Sequence, residues 1–362
     1  MLERQHPDRL VVLGTAGSMW DHLFEGDVDL GAEAEEERLA LVEAVERQAV
    51  EQSLLDRLAP LLSRRLDCAV RLRVISYCRT PEEQVGLLRD LAEEIGPADR
   101  VELDITHGFR HLPLLALLAA LHLRRVRGAQ VSHIWYGAFD PDTRQAPVYD
   151  LAGLLGIADW LEALSVYGRT RDYGVFHKLL GEEIGALLRQ AAFFEMVNRL
   201  GQARSKLREV LGLLSERSED PVFELFRGEL ERRLGWAKQD NFYLRQRELA
   251  LEYLACGRYL EAILTAWEAF ITRLQRESGE RLDPDNMEHR ERIRQAFEDR
   301  ERERSPRSEL YRDYDRLRRL RNAVAHGSQP KGEEVLRALS GPEQMHAFLE
   351  ELFARLLPAE LG

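Results

Sequence analysis

The sequence predicts an α/β N-terminal half, built as a doubly wound and mostly parallel sheet, followed by an all-α C-terminal half. Two observations carry this. Up to about residue 150, short apolar runs of strand period alternate with helical patterns in the order β-α-β-α-β, which winds helices onto both faces of a parallel sheet. Beyond Leu151 the strand signals stop and helical periods run to the C-terminus. The expected domains are 1–150 and 151–362. A chain of 362 residues suits two ordinary domains, and 44% hydrophobic residues suffice for a core in each.

The elements follow in order. "RLVVLGTAGS" reads as a strand ending in a glycine-containing turn, and residues 34–65 carry one long amphipathic helix pattern. "AVRLRVISY" alternates as a strand. In "TPEEQVGLLRDLAEEIG", Thr80 is placed to cap a helix, Pro81 to open it and Gly96 to close it. "RVELDIT" is the next strand, and Pro113 leads into a leucine-rich helix. "AQVSHIWYGAF" and "APVYDL" are further strands. In the helical half, breaks are expected near Gly168, Pro221, Gly257, 281–286 and 327–332. The charge run at 298–308, "EDRERERSPRS", reads as a solvated helix end and loop.

The totals narrow the function. A net charge of −12 argues against wholesale coating of nucleic acid but leaves room for a local basic pocket. Cys68, Cys78 and Cys256 show no CxxC spacing, so neither a zinc site nor a disulfide framework is indicated, and a reducing cytoplasm fits. The N-terminus lacks a cleavable signal pattern. The longest apolar run, "LPLLALLAALHL", falls well short of the roughly 20 residues of a membrane span. The expectation is a cytoplasmic protein with no membrane partner and no metal.

Two stretches carry candidate chemistry. Open α/β sheets bind ligands outside the carboxyl ends of their strands. "LGTAGS" ends the first strand there: Gly14 and Gly17 permit a close backbone, and Thr15 and Ser18 flank Ala16 with hydroxyls. "DITHG" ends another strand: Thr106 and His107 offer donors, free N–H groups near Gly108 face a helix start suited to phosphate, and Arg110 adds fixed charge. The plainer alternative is that Asp104 and Thr106 cap a turn and His107 is structural. "GTAGS" lacks the GxGxxG spacing and an acidic partner, which disfavours a dinucleotide cofactor.

A further stretch, "YRDYDRLRRLRNAVAHGS", places Asn322 and His326 four apart on one helical face, with Arg321 one position round and Gly327 terminating the helix. Chance alone supplies about one Arg-x-x-x-x-His in so arginine-rich a chain, and this chain has one. Read by itself, it is also a helix end whose His and Arg complement the macrodipole.

Together these stretches resemble the CRISPR-associated proteins with the Asp-x-Thr-His-Gly signature, which pair an N-terminal CARF sensor with a C-terminal HEPN ribonuclease. Asp104, Thr106, His107, Gly108, Phe109 and Arg110 match the sensor signature. Gly14 to Ser18 occupy the place of the first ligand loop, and "WYGAF", with Tyr136 and Gly137, is similar to another strand-end segment. Arg321, Asn322 and His326 match the HEPN motif. The resemblance implies a Rossmann-like sensor for a cyclic oligoadenylate, the tetra-adenylate being the commoner choice. It also implies cleavage of single-stranded RNA in type III CRISPR defence, no cofactor, and a homodimer or an oligomer of dimers with both sites across the two-fold axis.

The chemistry of the residues agrees. RNA carries its own nucleophile, the 2′-OH. A histidine exchanges protons near neutral pH. Arg321 suits a phosphorane dianion, and Asn322 could orient His326 or bind a phosphate oxygen. One histidine cannot easily serve both sides of an in-line displacement, so a dimer supplying a second His326 is chemically sensible. Three rivals remain: a non-catalytic regulator; a ring nuclease cleaving its own ligand through Thr106 and His107; and a metal-dependent DNA nuclease, for which the helical half offers no Pro-Asp followed by Glu-x-Lys.

Overall fold

A computed structural model of the protein describes residues 7–24, 34–107, 112–216, 220–279, 286–330 and 332–360. The chain divides into two units, Met1–Leu155 and Gly156–Gly362.

The first unit runs β1 (Arg9–Thr15), α1 (Glu35–Glu46), α2 (Gln52–Leu66), β2 (Ala69–Ile75), α3 (Pro81–Glu94), β3 (Arg100–Asp104), α4 (Leu112–His122), β4 (Gln130–Gly137) and β5 (Val148–Asp150). β1 pairs with β2 in parallel from Arg9↔Ala69 to Thr15↔Ile75. β3 pairs with β4 in parallel, and β5 closes that piece antiparallel to β4. Leu54, Leu55, Leu58 and Leu62 give α2 an apolar stripe that clusters with Val70 and Leu72 of β2. Thr80 caps α3 as its sequence indicates, its Oγ1 accepting from the Glu83 N–H at 3.3 Å.

Three expectations need correction. The single sheet is present as two pieces, β1–β2 and β3–β4–β5, and no ladder joins β1 to β3 among the described residues. β3 is short and its register slips between Val101 and Glu102. Such an irregularity adds local twist, which a straight ladder to β1 would have to absorb. Next, the helix expected over 34–65 is two helices. Gln48 adopts a left-handed φ of 53°, and the Gln48 and Ala49 N–H groups turn back to the Val45 and Ala44 carbonyls, each at 2.9 Å. The break frees the Val50 N–H to donate to the Ala16 carbonyl at 3.1 Å, so it anchors the loop after β1. Finally, Gly168 does not break its helix; Arg171, with φ 59°, follows the helix end instead.

The second unit is helical throughout its described elements: α5 (Gly153–Thr170, which starts within the first unit), α6 (Glu182–Met196), α7 (Leu200–Glu216), α8 (Pro221–Arg233), α9 (Phe242–Ala255), α10 (Tyr259–Ser278), α11 (Met287–Arg302), α12 (Glu309–His326), α13 (Glu333–Ala338) and α14 (Pro342–Leu356). α9 and α10 form a hairpin turned by Gly257 at φ 71°. α10 is the central helix, with Ala262, Ile263, Ala266, Ala269 and Phe270 fully buried against α9, α11, α12 and α14. Among the described residues no helix is long and apolar enough to cross a membrane.

Candidate functional site

The C-terminal end of α12 is built from both ends of the helix. Ser308 caps its start, Oγ accepting from the Tyr311 N–H at 3.1 Å. Gly327 ends it in a left-handed turn at φ 62°, its N–H returning to the Ala323 carbonyl. Buried Tyr314, Leu317 and Leu320 hold one face in the core. The arginine-rich outer face is then sorted by its carboxylates. Asp315 takes Arg318 at 2.5 Å and Arg319 at 2.6 Å. Buried Asp313 takes Arg316 at 3.0 Å and Arg355 at 2.6 Å. Arg316 also reaches Glu334 at 2.6 Å.

Arg321 is treated differently. Among the described residues it has no carboxylate partner. Its Nη1 donates to Asn322 Oδ1 at 2.9 Å, its guanidinium lies 5.4 Å from the centroid of the Trp267 ring, and its buried Nε has no acceptor. Asn322 and His326 are exposed. The structure thus brings Arg321 and Asn322 into direct contact and leaves the His326 imidazole without a hydrogen bond among the described residues. A fixed cation, an amide and an exposed imidazole are groups that can hold a phosphate and move a proton.

Trp267, on α10, was not singled out from the sequence. It is nearly buried and stacks on Tyr314 with centroids 5.4 Å apart. The Tyr314 hydroxyl donates to Glu298 at 2.5 Å, and Arg294 holds the same carboxylate at 2.6 Å. Burial, with the Glu298 hydrogen bond, pushes the Tyr314 phenol up, so it stays a donor. The expected solvated run at 298–308 therefore needs correction. Glu298 and Glu301 are buried, because Tyr314 and the Ser308 N–H use them. The sign that could have found Trp267 is its place on the buried stripe of "LTAWEAF".

In the first unit the strand-end residues fall at the carboxyl ends of β1, β3 and β4. After β1, Thr15 is buried: its N–H donates to Ser18 Oγ at 2.9 Å, and its Oγ1 lies 3.2 Å from the same hydroxyl. The Trp20 indole N–H donates to the Thr15 carbonyl at 2.8 Å, and a Cβ on Gly14 would come within 2.6 Å of that ring. Gly14 is therefore explained by Trp20, and Thr15 is committed to its own turn. Ala16 and Gly17 are half-buried, and Tyr77, past the end of β2, lies over Gly17.

After β3, Asp104 Oδ1 accepts from the Thr106 N–H at 2.9 Å and so sets the turn. Thr106 Oγ1 accepts from the Gly137 N–H at 2.8 Å, tying the end of β3 to the end of β4. A Cβ on Gly137 would meet Thr106 Cγ2 at 2.8 Å, so this residue must be glycine for the tie to close. His107 and Tyr136 are exposed. Gly108 and Arg110 lie outside the described residues. Nearby, His133 Nδ1 and Asp150 Oδ2 are 2.6 Å apart. Burial pushes the Asp150 carboxyl up, but the His133 hydrogen bond and the Ala152 and Ile134 amides outweigh it and hold the carboxyl below its ordinary range. Among the described residues no group of three or more His, Cys, Asp or Glu is placed to hold a metal ion.

No family model matches the chain. It is 24% identical, over 244 residues, to a protein of Methanocaldococcus jannaschii described as CRISPR-associated protein MJ1674. The match covers 62% of this chain and 38% of the relative, so the chain spans well under half of the relative's length.

Proposed function

We propose that the chain is an endoribonuclease that cleaves single-stranded RNA without a metal, is activated by a cyclic oligoadenylate, and acts in type III CRISPR defence. The observation that carries the reading is the end of α12. There Arg321, with no carboxylate partner among the described residues, sits beside Asn322, and exposed His326 follows at the helix terminus. The similarity to a protein named CRISPR-associated supports the defence setting.

In this reading the RNA 2′-OH attacks the adjacent phosphorus. His326 takes or gives the proton, and a second copy of the chain supplies the other histidine across a two-fold axis. Arg321 holds the charge that builds on the non-bridging oxygens, and Asn322 keeps the guanidinium in place. The products carry a 2′,3′-cyclic phosphate and a 5′-hydroxyl. The activator would lie across the carboxyl ends of β1, β3 and β4, with exposed His107 and Tyr136 as contacts and Gly108 and Arg110 as further ones. Thr106 supports that surface through Gly137.

The test is an RNA cleavage assay with cyclic oligoadenylates of different ring sizes, with and without EDTA, and with product termini identified. The expected result is cleavage that depends on one ring size and survives EDTA. Absence of cleavage with every ring size would overturn the reading. The same incubation without RNA shows whether the chain degrades its ligand instead.

A further inference from the structure

The helical unit holds a second polar centre on other residues. A cavity of about 390 Å³ is lined by residues from the end of α5, the last turns of α6, the end of α9 and the start of α10. Glu195 lines it and is only 7% exposed. The Tyr253 hydroxyl donates to Glu195 Oε1 at 2.6 Å, while Oε2 is buried with no partner. A buried carboxylate oxygen left open disfavours the folded state unless something else fills it. Arg171, also 7% exposed, lies over the Tyr167 and Tyr253 rings at 5.2 and 5.9 Å, forms an ion pair with Glu252, and has a buried Nε without an acceptor. Neither group serves the end of α12.

The surroundings select the ligand. The open Glu195 oxygen calls for an N–H donor. The lining charges balance, Arg169, Arg171 and Arg258 against Asp172, Glu195 and Glu261, so a cationic donor gains no net attraction there and a neutral one avoids the arginines. Arg258 is committed to Glu261 and the Thr170 carbonyl. Arg169, at the exposed end of α5, has no partner among the described residues and is available to an anion. Met196, 69% exposed, gives the mouth an apolar edge, and the Tyr253 ring stands inside. The volume falls in the range of about 300–1,000 Å³ usual for small-molecule clefts. A neutral, planar head with adjacent N–H donors and an anionic tail fits this set. Guanine presents its N1–H and its amino group on one edge. Adenine offers only its amino N–H on that edge, so it makes one such contact where guanine makes two.

We propose that this cavity binds a guanine base bearing a phosphate, with the base edge on Glu195 and the phosphate at Arg169. The base comes either from a free guanine nucleotide or from single-stranded RNA. Titration calorimetry on the full chain distinguishes the two, using GMP, AMP, guanosine, and two short RNAs with and without a single guanine. GMP or the guanine-containing RNA should bind, and the adenine counterpart should bind at least about tenfold more weakly. Binding by GMP alone identifies a free nucleotide; binding by the guanine-containing RNA identifies a strand. Arg169→Ala should weaken GMP and leave guanosine unchanged. Glu195→Gln should lose at least about tenfold in affinity. Because Glu195 is buried, Met196→Arg, which blocks the mouth from an exposed position, serves as a second variant, and thermal melts check that both fold. The proposal is overturned if neither GMP nor the guanine-containing RNA binds at about 1 mM, if AMP binds as tightly as GMP, or if both variants bind as the unmodified chain does. RNA cleavage is not measured, so failure here leaves the nuclease reading standing.

Discussion

Arg321 and Trp267 face each other, the guanidinium carbon 5.4 Å from the indole centroid. A cation held on an aromatic face cannot swing freely, and it keeps its donors for something else. If Arg321 and His326 do chemistry, Arg321→Ala and His326→Ala should each lower RNA cleavage by about 10²–10⁴-fold. His326 is exposed, so His326→Ala should hardly move the melting temperature, whereas Arg321→Ala also gives up the contact with the Trp267 ring and should lower it slightly. Full activity in either variant contradicts the nuclease reading.

Trp267→Phe separates positioning from packing. The phenyl ring still fills most of the site but attracts the cation less. A loss of about 1 kcal/mol in that attraction corresponds to about a fivefold fall in single-turnover rate. The KM should hold. A rate unchanged in the folded variant shows that the indole acts only in the core.

Metal removal is the third test. Cleavage should proceed in EDTA and leave 2′,3′-cyclic phosphate ends, because the proposed step uses the 2′-OH, His326 of each copy and Arg321, with no metal. Full dependence on added magnesium or manganese would point to the metal-dependent rival.

The residues of "DITHG" should respond differently from one another. His107 is exposed, and His107→Ala should raise the activator concentration needed for half-maximal cleavage without altering the saturated rate more than a few-fold. Thr106→Val removes the acceptor of the Gly137 N–H, which should cost about 1 kcal/mol of stability as well as loosening the site. Activator titrations and thermal melts on the two variants measure this. If His107→Ala activates at the unmodified concentration, the ligand site lies elsewhere.

Asp150 gives a pH prediction. Its carboxyl is held below the ordinary value in the folded chain. Its contribution to stability is therefore complete above the unfolded value, near 4, and is lost as pH falls through the lower folded value. Asp150→Asn should flatten the acid limb of a melting curve followed from pH 5 to about pH 3. An unchanged acid limb means the His133 contact contributes nothing.

Much of α12 was legible in the sequence. The helical stripe of Leu317, Leu320 and Val324, and the glycine after His326, announce its end through local rules that tertiary packing did not override. Trp267 was not legible as a partner, because its meeting with Arg321 is made by the packing of α10 on α12 across a long sequence separation. In the first unit, the Thr106 hydroxyl was visible but its use was not: a hydroxyl advertises a donor, while the Gly137 amide that claims it belongs to a different strand. The stop at Gln48 was hidden for another reason. Glutamine seldom takes a left-handed conformation, and the amphipathic pattern runs on past it. The split of the sheet was equally invisible, since alternation marks strands but not which ladders close.

The carboxylates along α12 do more than hold it. Of its five arginines from Arg312 to Arg321, the middle three are tied to Asp313, Asp315 or Glu334, and the two outermost meet no carboxylate among the described residues. At 1.5 Å per residue, about 13 Å of helix separates those two, more than the screening length of about 8 Å at physiological salt. Nine residues at about 100° each also set those two on opposite sides of the helix, so a polyanion approaching the Arg321 side meets one isolated point of charge instead of a continuous positive rail. It gains little by sliding along the helix and must stop where shape allows, so the discrimination falls to the terminus and not to the bulk charge.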